Sequence, residues 1–250
     1  MVALSPQELE RYRRQMQLPN FGESAQIALK QSTVLITGVG GLGGTVALYL
    51  AVAGIGKLIL VRGGNLRLDD MNRQVLMTHD WVGKPRVWQA KNTLQSINPD
   101  VVIEAVPEYL TEKNRVSLIE KCDLAVSCAH NFEERSLLNQ TCVEQGKPFV
   151  ESAMDEMSAY LTTIVPGKTP CLRCLYPEFP PWDRRGFGVL GAVSGTLACL
   201  TALEVIKFIT GIAPTLLGEL FVMNLNALHF QKLRTFREPQ CPVCSHLFQE

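Results

Sequence analysis

"VLITGVGGLGGTVALYL", residues 34–50, reads as an apolar strand that turns through glycines into a helix. Its centre, "GVGGLG" at 38–43, has the spacing G-x-G-x-x-G. Gly38 allows a tight turn, Gly40 lets backbone approach a phosphate, and Gly43 permits close packing of helix on strand. The helix expected from Gly43, over 43–54, aims its free N–H groups and positive dipole end at the anion. In such a unit an acidic residue at the end of the second strand binds ribose hydroxyls. This chain has "KLILV" (57–61) as that strand and Arg62 after it. An arginine there suits a 2′-phosphate, so an NADP-dependent oxidoreductase is one reading.

Outward from that unit the pattern alternates. Helices are predicted over 81–98, 114–122 and 131–146, and strands over 101–106, 123–128 and 148–154. Alternation of this kind predicts a doubly wound α/β fold with a mostly parallel sheet. Near the start, Ser5, Pro6 and Glu8 mark a capped helix. Beyond residue 154 the pattern changes to antiparallel strands at 159–166 and 219–225, separated by an irregular loop and a long apolar helix. The expectation is a single domain over 1–250, with a nucleotide-binding half (1–155) and a second half (156–250).

Composition narrows the function. The 250 residues are 46% hydrophobic and carry a formal net charge of zero, so no basic excess exists for nucleic acid. The stretch 186–203 is uncharged, but it is rich in small residues, and Glu204 and Lys207 continue its helical pattern. It reads as a buried helix at a packed interface rather than a membrane span. "MVALSPQELERYRRQ" lacks an apolar signal core, which predicts a cytoplasmic protein.

Of eight cysteines, Cys122, Cys128, Cys142 and Cys199 stand singly in apolar contexts, where an inert buried thiol is expected. The others form "CLRC" (171–174) and "CPVC" (241–244). Two such pairs can give four thiolates to one tetrahedral Zn2+, a closed structural site formed by Cys171, Cys174, Cys241 and Cys244. A redox CxxC would open a helix after a strand in a thioredoxin-like unit, and two such pairs with their flanking residues favour zinc instead.

The segment "LRLDDMNRQVL" (66–76) places Asp69, Asp70, Asn72, Arg73 and Gln74 just past the second strand, where open parallel sheets bind ligands. Arg73 suits a triphosphate and the aspartates suit Mg2+. Glu151, Asp155 and Glu156 lie on or just after the strand 148–154, whose end should open on the same crevice as His130, and His130 with Asp155 or Glu156 offers a metal or oxyanion site.

Taken in order and spacing, "GVGGLGG…YLAVAGIGKLILV", "NRQVL", "GKPRV", "CLRC…CPVC" and "LEVIKFITG" resemble the HesA/MoeB/ThiF family of ubiquitin-activating-type adenylyltransferases, and most closely its HesA branch. The resemblance implies a homodimer with one structural zinc per subunit, binding ATP with Mg2+ at the glycine turn. It implies that Gly41 meets the phosphates, that Arg73 holds them, and that Arg14 reaches into the neighbouring subunit's site. Arg86 stands where the family has a phosphate-binding lysine, and Asn131 matches the asparagine of its "TDN". The sequence departs at Arg62, in place of the ribose-binding aspartate, and at His130, in place of the catalytic aspartate of "TDN". The family's loop cysteine falls near Arg184. The implied partner is either a nitrogenase-cofactor assembly protein, with molybdenum as the metal handled, or a ubiquitin-like sulfur carrier. A catalytically silent scaffold is the remaining reading. In "YPEFPPWDRRGFG" (176–188), Trp182, Arg184 and Arg185 suit an acidic partner.

Overall fold

The structure, a computed structural model, describes residues 3–178 and 188–248. Eight strands form one sheet: β1 (Thr33–Thr37), β2 (Lys57–Val61), β3 (Val102–Val106), β4 (Leu124–Ser127), β5 (Phe149–Asp155), β6 (Ser158–Ile164), β7 (Glu219–Asn224) and β8 (His229–Arg234). Their spatial order is β3-β2-β1-β4-β5-β6-β7-β8. The first five run parallel and β5 to β8 antiparallel, so one sheet continues through both halves of the chain.

This order follows from chain connectivity. β1, β2 and β3 step outward in one direction, and β4 returns to the other side of β1. The ends of β1 and β4 therefore open a crevice at a topological switch point. The helices are α1 (Pro6–Arg11), α2 (Arg13–Met16), α3 (Gly22–Gln31), α4 (Gly41–Ala53), α5 (Arg86–Ile97), α6 (Arg115–Glu120), α7 (Phe132–Glu144), α8 (Leu172–Leu175) and α9 (Gly191–Thr210). Ser5 and Glu8 form the expected capping box on α1.

Helix α4 carries no charged residue, and ten of its thirteen residues are buried. It lies between the sheet and α9, against which it packs extensively. Gly54 stops it in the left-handed conformation at φ 87°. The helix begins at Gly41, two residues earlier than expected, because Gly40 already serves as its N-cap. Helix α5 begins at Arg86 rather than near residue 81. Trp81 ends a 3-10 turn, Gly83 takes φ 87°, and Pro85 is the N-cap. The sequence reading missed α3 and the outer strand β8, whose six residues are all exposed and so lack alternation.

Helix α9, the uncharged stretch, is long and apolar enough by composition to cross a membrane, with mean hydropathy 1.6 over its best window. It packs instead on α4, α3, β5 and β6. Glu204, buried on this helix, accepts from the Thr163 hydroxyl (2.6 Å) and from the Leu216 N–H (2.5 Å) and pairs with Lys207 (2.7 Å). The Thr163 and Leu216 contacts, both off the helix, anchor α9 beside the sheet, while Lys207 lies on α9 itself. Of the single cysteines, Cys122 and Cys142 are buried and Cys128 is largely so, but Cys199 is exposed on α9, contrary to expectation. Burial pushes the Cys122 thiol up to about 11 and that of Cys128 up to about 12, which keeps both un-ionised.

The glycine turn is the tightest point of this packing. A Cβ on Gly43 would lie 1.8 Å from the Gly38 carbonyl oxygen, and one on Gly38 would lie 2.7 Å from that of Cys128. Both obstacles are backbone and cannot swing aside. Gly43→Ala is expected to cost about 1–3 kcal/mol, the range for overpacking, read as a lower midpoint in denaturant titration of the purified chain.

Candidate nucleotide crevice and thiolate cluster

The crevice is assembled from five segments, each fixed by its own local contacts. The first is the glycine turn. Gly38 adopts φ 91°, and its N–H bonds the Val61 carbonyl at 2.8 Å, holding the turn to the end of β2. No side chain caps the N-terminus of α4. The N–H groups of its first turn are thus available to an anion, as the sequence predicts. A Cβ on Gly40 would meet nothing closer than Gln74 Nε2 at 3.8 Å, so open space stands in front of that residue. On Gly41 it would lie 2.8 Å from Ser194 Oγ and 3.1 Å from Arg73 Cβ. The turn, the Arg73 loop and the first turn of α9 therefore meet at one point.

The second segment is the loop after β2. Asp69 and Asp70 lie in a 3-10 turn, Leu68–Asp70, and Asp70 is buried. Asp70 Oδ1 accepts from Arg73 at 2.9 Å, and Oδ2 pairs with Arg86 at 3.2 Å. Arg73 also donates to the Asp69 carbonyl (2.7 Å) and to Asn72 Oδ1 (2.9 Å). Asn72 in turn donates to the Val189 carbonyl at 3.1 Å. Arg86, the third element, is buried and bonds the Asn65 carbonyl; burial lowers its pKa, and Asp70 opposes that fall. Asp69 and Asp70, expected to suit Mg2+, are engaged in ion pairs with arginines in this structure. Both Asp70 oxygens neutralise arginines, and its work is to aim Arg73 and Arg86. Asp69 is exposed and pairs with Arg67 at 3.0 Å.

Arg62, at the end of β2, and the 128–131 segment after β4 complete the crevice. Arg62 Nη1 lies 3.1 Å from His130 Nδ1, and its guanidinium stands 5.2 Å from the ring centroid of Tyr109. Tyr109 fits there because Gly63 and Gly64 carry no Cβ; one on Gly63 would be 2.6 Å from the ring. Asn131 caps α7, its Oδ1 accepting the Glu134 N–H at 2.8 Å, so that oxygen serves the helix. Glu134 is buried and accepts from the Leu110 N–H at 3.2 Å; burial raises its pKa. The sequence reading missed Tyr109 and Glu134, since a tyrosine and a mid-helix glutamate carry no spacing signal.

Asp155 and Glu156, expected to join His130 in a metal or oxyanion site, lie at the β5–β6 hairpin. Glu151 is fully buried and bonded to Arg135 and to the Tyr160 hydroxyl. Asp155 ends β5, and Glu156 sits in the hairpin turn at φ 52°. Among the described residues, the four cysteines are the group of three or more metal-ligating side chains close enough to share an ion. Arg14 is exposed on α2. Trp182, Arg184 and Arg185 lie outside the described residues.

The two CxxC pairs come together although 70 residues separate them. Sγ atoms stand 4.0 Å apart for Cys171–Cys174, 3.7 Å for Cys171–Cys241 and 3.5 Å for Cys174–Cys244. A tetrahedron with Zn–S bonds near 2.3 Å has edges of roughly 3.8 Å, so the cluster fits that ion, and these separations are far too long for disulfides. All four residues are buried. Without a cation the thiols cannot all ionise. The hydrogen bond from Cys171 pulls Cys174 down to about 5, that same pairing pushes Cys171 up, and burial pushes Cys244 up to about 12. Asn139 of α7 accepts from the Leu172 N–H at 2.9 Å, which fixes the first knuckle to the nucleotide half.

The ThiF family model matches residues 12–243. Protein HesA, heterocyst, of Trichormus variabilis is 67% identical over 98% of this chain and 92% of its own length. Protein HesA of Leptolyngbya boryana is 66% identical over 98% and 89%. The sulfur carrier protein adenylyltransferase of Thermus thermophilus is 38% identical over 95% and 91%. Among solved structures, E. coli MccB with AMPCPP and MccA superposes with TM-score 0.85 and 26% identity, covering 95% of this chain and 74% of that one.

Two outcomes follow from these contacts. Asp70→Ala strands two arginines, one of them buried, and is expected to cost about 3–5 kcal/mol, the range for breaking a buried pair; Mg2+ should not rescue it in a thermal melt. Elemental analysis of purified protein should find one zinc per chain. Cys241→Ser should lose that zinc and lower Tm by roughly 10 °C, at about 2–4 °C per kcal/mol for a chain of this size.

Proposed function

Because the chain belongs to the ThiF family, we propose that its crevice binds ATP, as an ATPase or adenylyltransferase serving metallocofactor assembly, with molybdenum and the nitrogenase cofactor as its setting. The observation that carries ATP binding is the convergence of three features. The uncapped N-terminus of α4, the open space before Gly40, and Arg73 held by Asp70 meet within one loop cluster. Together they supply backbone donors, room and a pre-aimed fork for a polyphosphate. Such a site stabilises charge developing on phosphoryl oxygens without rearranging. The metallocofactor setting rests on the high identity to the HesA proteins.

In this reading, Gly38, Gly40, Gly41 and Gly43 shape the phosphate cradle, and Arg73 and Arg86 supply charge. Asn72 positions Arg73. Mg2+ would reach the site on the triphosphate itself, since Asp70 is occupied by the two arginines. Zinc on the four cysteines is structural. The molecule acts as a cytoplasmic homodimer. A second copy covers the exposed line of α9 formed by Ala192, Thr196, Cys199 and Leu203, and Arg14 completes the partner's crevice. The 38% identity to a sulfur carrier protein adenylyltransferase favours a second reading, activation of a ubiquitin-like carrier's C-terminus.

ATP–pyrophosphate exchange separates these readings. The first expects ATP binding, with Gly40→Ala folding normally yet weakening that binding roughly tenfold by filling the cradle with a methyl group. Exchange dependent on a diglycine-ended carrier establishes the second reading. Absence of ATP binding at millimolar concentration refutes both and leaves a scaffold.

A further inference from the structure

Three arginines reach the crevice, and two of them share one carboxylate. Arg73 and Arg86 divide Asp70 between them. Arg62 makes no ion pair with a carboxylate among the described residues. Its neighbours are the His130 ring nitrogen and the face of Tyr109. Its Nε is buried and has no hydrogen-bond partner among the described residues. Glu134, whose ionisation the Arg62 charge favours, is held toward its neutral form by burial. Arg62 is thus a partly buried guanidinium in no carboxylate ion pair among the described residues, and an anion that supplies a counter-charge is bound correspondingly well.

Strand order sets where that anion would sit. β1 lies between β2 and β4, so Arg62 and His130 meet across the end of β1, where the glycine turn begins. Strands two places apart are separated by roughly 10 Å, and the arginine is long enough to span most of that gap. The pair therefore crosses the mouth of the crevice at the place where a carboxylate on β2 would take ribose hydroxyls. A carboxylate at position 62 repels a phosphate there, whereas a guanidinium pairs with it bidentately. Tyr109 holds the guanidinium plane in place beforehand.

We propose that Arg62 and His130 form a site for a phosphate-class oxyanion beside the bound adenosine. The oxyanion is either carried on the ribose as a 2′- or 3′-phosphate or present as a separate ion next to an ordinary nucleotide. This rests on the reading of the crevice as an adenine-nucleotide site and adds a specificity that the reading does not contain. The anion takes the place of His130 Nδ1 as partner of Arg62 Nη1, and it accepts from the Arg62 guanidinium, which has no carboxylate ion pair among the described residues.

Isothermal titration of the full chain tests it, using ATP, AMP, adenosine 2′,5′-bisphosphate, adenosine 3′,5′-bisphosphate, and AMP with inorganic phosphate present. Either a ribose-phosphorylated nucleotide binds roughly tenfold or more tightly than AMP, or inorganic phosphate tightens AMP binding by that factor. The first result identifies a ribose phosphate as the source and the second a separate ion. Arg62→Asp removes the advantage, Arg62→Lys keeps part of it, and His130→Gln, at an exposed position, reduces it. If ATP binds but neither ribose phosphorylation nor inorganic phosphate improves AMP binding, the oxyanion site is refuted and the ATP reading stands. An advantage that survives Arg62→Asp in a variant with wild-type Tm also refutes it. If no adenine nucleotide binds at all, both readings fall together.

Discussion

Gly43 lies so close to the carbonyl oxygen of Gly38 that no side chain fits between them, and the placement of the nucleotide half depends on that contact. It lets α4 start immediately after β1 and lie flat on the sheet. α4 in turn is apolar on every side because α9 covers the face that the sheet does not. A helix with no polar face is stable only when enclosed. The long apolar α9 complements α4, covering much of the face that the sheet leaves open, while Tyr49 and Val52 of α4 stay exposed. The first turn of α9 reaches back to the glycine turn through Ser194, so one packing constraint both builds the core and brings the crevice walls together.

Charge in the crevice follows a second constraint. A buried guanidinium needs a partner, and Asp70 satisfies two at once. That economy fixes Arg73 and Arg86 at defined positions, as a binding site requires. In this structure Asp70 therefore faces arginines on both oxygens. The zinc-type cluster plays no direct part in this chemistry. Through Asn139 and Leu172 it attaches the second half of the chain to α7, the helix that follows His130 and Asn131.

Local pattern revealed most of the sheet. β1, β2, β4 and β5 are buried apolar runs between turn signals, and their order could be read from alternation with helices. β8 was not legible, because both its faces are exposed and no alternation marks it. The cysteine pairs were legible because four thiols at CxxC spacing have few other uses; what sequence could not give was the 3.5–4.0 Å geometry that brings them together. The ion pairs of Asp70 were not legible, because its residue type fits a metal or an ion pair equally well, and its burial beside Arg73 and Arg86 is a matter of tertiary structure.

The same limit applies with more consequence to Arg62 and His130. In sequence the two stand 68 residues apart with nothing to connect them. Strand order 2-1-4 joins them across the glycine turn. Two side chains that contact each other, with one of them against the face of Tyr109 and in no carboxylate ion pair among the described residues, make an electrostatic surface of their own there. Repelling a cation and attracting an anion are the same property of that surface. The contact therefore reads as an altered specificity within a retained fold rather than as decay of an old one.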